Sequence, residues 1–225
     1  MQRHFVQELD QLKTNLIKMG SFAEQAIADA IRALLERRIE LARQVIAQDQ
    51  QINSFEILID DAVVDLLALQ QPVATDLRFI LAASKINGDL ERIGDHAVNI
   101  AESAIQYIAL EPAHPPVDIT EMARITKAML RNAIDGFIHS DAALCSVVLR
   151  NDDAIDDLNK KVVRELIDVM RQGPDEIEQA LEFIRVSRNL ERVADLATNI
   201  AEDGIFMAEA RVVKHHLGDT AAQGR

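Results

Sequence analysis

The segment Asp89-Leu-Glu-Arg-Ile-Gly-Asp-His-Ala-Val-Asn-Ile-Ala-Glu102 returns one hundred residues later as Asn189-Leu-Glu-Arg-Val-Ala-Asp-Leu-Ala-Thr-Asn-Ile-Ala-Glu202, with nine of fourteen positions identical and no gap. A second pairing, Asp49-Gln-Gln-Ile-Asn53 with Asp152-Asp-Ala-Ile-Asp156 at an offset of 103, carries the likeness into the preceding segment. The chain is a duplication. Its 225 residues therefore have to fold as two halves of like architecture, each about 100 residues long, packed together.

Apolar residues recur at helical spacing throughout. Phe5, Leu9, Leu12, Leu16, Met19, Ala23, Ala26 and Ala30 step by four and three, which predicts a first helix ending near Glu36 to Ile39. Leu41, Val45, Ile52, Ile59, Val63 and Leu66 predict a second, stopped at Gln70-Gln-Pro72 because proline disfavours helix in the residue before it. Thr75 and Asp76 mark the start of a third, which carries the first copy of the repeat to about Leu110. Eight Gly, five Pro and no Trp leave few turns to divide the chain. The proline-dense Glu111-Pro-Ala-His-Pro-Pro-Val117 is the natural boundary. Asp118 with Glu121 resembles a capping box and opens a fourth helix, which turns near Ser140-Asp141. A fifth ends at Gln172-Gly-Pro-Asp175, and a sixth carries the second copy to about Arg211. The expected fold is all-α: two tandem, sequence-related antiparallel three-helix bundles of six long helices. Their limits are 1–111 and 118–211, with a linker at 112–117 and a loosely held tail at 212–225.

Charge narrows the partners. With 37 acidic against 24 basic residues the net charge is −13, which repels nucleic acid and anionic lipid and suits cations or a basic patch on another protein. Cys145 is the only cysteine, so no intrachain disulfide forms, and its neighbours suggest a buried filler. Met19, Met122, Met129 and Met170 also read as core fillers. No run approaches the roughly 20 apolar residues that span a bilayer, and a soluble, cytoplasmic protein is expected.

The repeat keeps Glu91/Glu191, Asp95/Asp195, Asn99/Asn199 and Glu102/Glu202 at spacings of four, four and three. On a wheel of about 100° per residue these fall on a strip roughly 80° wide. Leu90, Ile93, Ala97, Ile100 and Ala104 face the core, while Lys85, Arg92 and His96 lie on a third strip. Glu91 followed by Asp95 is a like-charge pair, costing a few tenths of a kcal/mol on a bare helix, which a bound cation would reverse. Carboxylate and amide oxygens without thiolate indicate hard cations such as Mg²⁺, Mn²⁺ or ferric iron before structural zinc. Glu56 and Asp60 add candidate ligands from the second helix, whereas their counterparts are Asn159 and Val163. Asp152 and Asp156, beside Asp153 and Asp157, either compensate in the second half or simply suit a helix start. The competing reading is a plain solvated face. His96 has Leu196 as its counterpart and reads as an exposed helix residue, while Arg92 and Arg192 read as anchors between the halves or partner contacts.

Enzyme signatures are scarce. Glu111-Pro-Ala-His114 has the Glu-x-x-His spacing of a di-iron bundle but lies in the proline linker, and no P-loop, H-E-x-x-H or G-x-S-x-G string occurs. Taken together, Gln70-Gln-Pro-Val-Ala-Thr-Asp-Leu-Arg78, Leu90-Glu-Arg-Ile-Gly-Asp95 and Asn189-Leu-Glu-Arg-Val-Ala-Asp195 resemble the phosphate-uptake regulator (PhoU) family over nearly the whole chain. The family's E(D)xxxD signature falls on Glu91/Asp95 and Glu191/Asp195. The resemblance implies a cytoplasmic, non-enzymatic adaptor that binds the ATPase subunit of the phosphate ABC transporter and a phosphate-sensing histidine kinase, repressing the starvation response when phosphate is plentiful. It also implies a homodimer and iron, manganese, magnesium or zinc on the acidic faces. Glu176-Ile-Glu178 replaces the Asp76-Leu-Arg78 element in the second copy, and Ala194 replaces Gly94, departures that count against treating the two sites as equivalent. The alternative is a metal-dependent helical-bundle oxidase or phosphohydrolase.

Overall fold

The computed structural model describes residues 2–72, 74–110 and 115–209. The helices are α1 (Gln2–Leu35), α2 (Ile39–Gln70), α3 (Ala74–Ala109), α4 (Thr120–Ile138), α5 (Ala142–Met170) and α6 (Ile177–Glu209), with a short 3-10 turn at Pro174–Glu176 before the last. The tail expected at 212–225 and the Glu111–His114 part of the boundary segment lie outside the described residues.

Each half is three helices in mutual contact, and the halves join through α3 against α6 and α1 against α4. Among the described residues α2 touches only α1 and α3, and α5 touches α4, α6 and the 3-10 turn, so these two helices form opposite outer edges. One continuous apolar core runs through both halves. Leu12, Leu16, Met19, Ile52, Ile59, Ile80 and Ile93 are fully or almost fully buried, as are Val148, Ile155, Phe183 and Ile200. Each such Leu, Ile or Val contributes roughly 1.5–3 kcal/mol of burial free energy. Between the halves Phe79 stacks on Phe137, their centroids 5.4 Å apart, and Lys85 of α3 pairs with Asp203 of α6 at 3.0 Å. Arg92 and Arg192 do not anchor the halves. They pair within their own helices, with Asp89 at 3.7 Å and Asp195 at 3.1 Å.

The duplication is legible in the turns. Arg37 and Ser140, 103 residues apart, both adopt positive φ, 55° and 53°. Each closes a helix by the same pair of backbone bonds: Arg38 N–H to Ala33 O at 2.9 Å with Arg37 N–H to Leu34 O at 3.4 Å, and Asp141 N–H to Gly136 O at 2.8 Å with Ser140 N–H to Phe137 O at 3.2 Å. Neither turn uses glycine at the left-handed residue. The capping box expected at Asp118 and Glu121 forms only in part. Asp118 Oδ1 accepts from Thr120 N–H at 2.8 Å, whereas Glu121 turns forward to hold Arg124 with two bonds of 2.7 and 2.8 Å.

Packing has also been redistributed between the copies. Ala33, Ala42 and Ala104 of the first half, all fully buried, correspond to Gly136, Cys145 and Gly204 in the second. A Cβ on either glycine would stand 2.5 Å from Cys145 Sγ, so the sulfur occupies space that the missing methyls vacate. Cys145 is fully buried, and burial pushes its thiol up to about 11, as expected of a filler rather than a nucleophile.

Candidate functional site

α2 and α3 run antiparallel, and their outward groove gathers an acidic cluster. Glu91 and Asp95 of α3 face Asp49 and Glu56 of α2. Asn87, buried beside them, donates to the Glu56 carbonyl and to Asp60 Oδ1, both at 2.9 Å, which pins Asp60 to the same groove. Asn53 Nδ2 donates to Asp49 Oδ2 at 3.1 Å. Asp49 Oδ1 is buried without a hydrogen-bond partner among the described residues.

Burial and neighbouring like charges both act on the carboxyls of this groove. Glu91 is raised above the ordinary carboxylate range, first by burial and then by the charges of Asp95, Glu56 and Asp49, against which Arg92 only partly acts. Asp49 is raised mainly by burial, with Asp95 adding to it and the Asn53 bond opposing. Gly94 lets this cluster close up: a Cβ there would lie 2.9 Å from Ile52 Cδ1 and 3.0 Å from Asp49 Oδ1. Sequence reasoning used Asp49 only to align the copies and did not name it as a site residue. Its retention as Asp152, together with glycine facing it at position 94, was the available signal.

The second half differs. Asp195 is raised by burial, but Arg192 lies beside it, donating to Oδ2 at 3.1 Å, and His96 is a further neighbour that lowers it while Asp156 raises it. Glu191, Asp152 and Asp156 are half-buried. Asn159, standing where Glu56 stands, accepts from Ser187 at 2.6 Å instead of presenting a carboxylate. Here the counter-charge is already built into the protein.

Packing places the two ends of the first row in different surroundings. Asn99 and Glu102 line a cleft of about 730 Å³ toward α6 with Glu182, Arg185 and Asn189, separate from the Asp49 and Glu56 pairing. Asn199 is exposed and Glu202 half-buried on the equivalent stretch of α6. His96, expected to be exposed, is half-buried, with Nδ1 2.8 Å from Asn189 Oδ1 across the two halves. Among the described residues no group of three or more His, Cys, Asp or Glu side chains converges in ligand geometry. No described helix is long and apolar enough to cross a membrane.

The architecture defines a class: tandem three-helix repeats fused through one core, each with an acidic outer groove. The PhoU domain model matches residues 16–104 and 119–204, and the chain belongs to that family. It is 39% identical over 208 residues to a phosphate-specific transport system accessory protein PhoU homolog of Aquifex aeolicus, covering 92% of this chain and 94% of that protein. It is 32% identical over 215 residues to the accessory protein PhoU of Escherichia coli, covering 96% and 89%. The crystal structure of PhoU from Pseudomonas aeruginosa superposes with a TM-score of 0.87 at 38% identity, covering 92% of this chain and all of that one. The phosphate transport system regulatory protein PhoU of Streptococcus pneumoniae gives 0.85 at 26% identity, covering 94% and all of that chain. These relatives are named as accessory or regulatory proteins, and the chain takes its place with them as a non-enzymatic protein.

Proposed function

We propose that the chain is a cytoplasmic regulator of phosphate uptake that couples the phosphate-specific ABC transporter, through its ATPase subunit, to a phosphate-sensing histidine kinase. In this role it represses the starvation response when phosphate is plentiful. The observation that carries the reading is whole-chain membership of a family whose members are named for the phosphate transport system. The structure is in keeping with it: two long helical edges and charged grooves offer surfaces to partners, and the only cysteine is an inert filler. Deletion of the gene is expected to raise a phosphate-starvation reporter in phosphate-rich medium; an unchanged reporter overturns the reading.

The first acidic groove suits a hard cation as part of this function. Asp49, Glu56, Glu91 and Asp95, with Asp60 held nearby, are oxygen donors whose mutual repulsion Arg92 only partly offsets, and Asp49 Oδ1 lacks a partner among the described residues. A bound Mg²⁺, Mn²⁺ or ferric ion would supply positive charge there. The second groove, with Arg192 against Asp195, is the weaker candidate. A homodimer is part of the proposal as well, on family resemblance.

A further inference from the structure

The outer face of α2 is built unlike its duplicate. Ile57, Asp61, Val64 and Ala68 form one stripe at spacings of four, three and four, and Leu58, Asp65 and Leu69 form the next, all of them exposed. Ile57 is 64% exposed, Leu58 48%, Val64 62% and Leu69 70%. Such a run of large apolar side chains in water marks an interaction surface rather than ordinary scatter. It is also free of base: no Lys, Arg or His occurs between Arg43 and Arg78, and among the described residues Asp61 and Asp65 make no ion pair.

The second half provides the control. The buried residues of α2 and α5 match at an offset of 103, Val45 with Val148, Ile52 with Ile155, Ile59 with Val162 and Val63 with Leu166, so the outward positions correspond too. At that offset Ile57, Leu58 and Asp61 become Lys160, Lys161 and Arg164, and Ala68 becomes Arg171. Val64 and Asp65 keep their character as Ile167 and Asp168, but the fold does not need apolar or acidic residues at positions 57, 58 and 61. The first half carries them for something outside it.

We infer that the outer face of α2 docks a protein partner through a helix or ridge bearing apolar side chains flanked by Lys and Arg. Charge complementarity selects this occupant: the face presents acids and no base, so a basic surface gains encounter rate and specificity, while the apolar residues supply burial. Anionic lipid and nucleic acid are repelled by the same acids. The basic face of α5 on a second copy has matching chemistry. However, α2 and α5 lie on opposite edges, so that pairing is head-to-tail and propagates into open chains instead of closing. The inference rests on the adaptor reading only for the expectation that a protein occupant exists.

The test uses the full chain and a fluorescent helical peptide of about 18 residues, leucine on one face and lysine beside it, at physiological salt. Saturable binding is expected, weakened about tenfold or more in I57K/L58K/D61R, which installs residues that the second half already accommodates. Binding should be unchanged in K160A/K161A/R164A, and circular dichroism should show all variants folded. No binding by the unaltered chain, or equal binding by I57K/L58K/D61R, overturns the inference. Loss of binding in E91A/D95A with retention in I57K/L58K/D61R moves the peptide to the acidic groove and also overturns it. Concentration-dependent open chains seen by light scattering, and abolished by I57K/L58K/D61R, would make a second copy the occupant instead. The starvation reporter decides the adaptor reading independently. A transporter ATPase subunit that still co-purifies with I57K/L58K/D61R would remove this face from the adaptor contact and leave that reading standing.

Discussion

Replacing Gly204 by Ala adds one methyl to the most crowded point of the second half. The new Cβ would meet Cys145 Sγ at 2.5 Å, and the backbone of Phe137, at 3.4 Å, closes the other side. Relief needs the sulfur or a helix to move by about 1 Å, a strain at the upper end of the roughly 1–3 kcal/mol that overpacking costs. Alanine regains about 1 kcal/mol of helix propensity over glycine, so the expected net loss is about 1–2 kcal/mol. Cys145→Ala alone removes one buried heavy atom, with an expected loss of about 1 kcal/mol. In the double variant the new methyl fills the space left by the sulfur and the propensity gain survives, so stability returns to within about 0.5 kcal/mol of the parent. The first half already holds this combination as Ala42 and Ala104, both fully buried. Urea denaturation of the four proteins measures the cycle. A double variant that loses the sum of the single losses would refute the account of the duplicated crossing.

Three further outcomes follow from the same structure. Added Mn²⁺ or Fe³⁺ should raise the melting temperature of the chain and leave that of E91A/D95A unchanged, and Gly94→Ala should weaken the effect by crowding Asp49, as calorimetry would show. Asp89, pushed up to about 6 chiefly by burial, withholds stability as pH rises from about 4 to 6, because the unfolded chain ionises first; Asp89→Asn should flatten that slope in pH-dependent melts and stabilise the protein above pH 6. Ser140→Gly, at φ 53° on an exposed turn, should stabilise by roughly 0.5–1 kcal/mol, read as a higher urea midpoint.

Periodicity made the helices legible. The seam from Leu12 to Ala30 and that from Leu41 to Leu66 are the buried faces of α1 and α2, because burial on one side of a helix imposes its own spacing on the sequence. The first turn is less sharply marked, since Arg37 takes the left-handed conformation without glycine, whereas the fourth falls at Ser140-Asp141 as expected. Glu91 and Asp95 could be read as a pair because both sit on one helix. Asp49 could not be joined to them, as its approach depends on the crossing of α2 and α3 and on the absent side chain at Gly94. The row from Glu91 to Glu102 looked continuous on a wheel. Packing divides it, because α2 flanks its first part and α6 closes a cleft over its second. His96 was misplaced for the same reason: its partner Asn189 lies across the junction of the halves.

The central claim is that this chain links phosphate transport to signalling, and the direct measurement is co-purification of the chain with the transporter's ATPase subunit and the sensor kinase at high and low phosphate. Recovery of both partners, in amounts that change with phosphate, is the predicted result. Recovery of neither at any phosphate concentration would contradict the account.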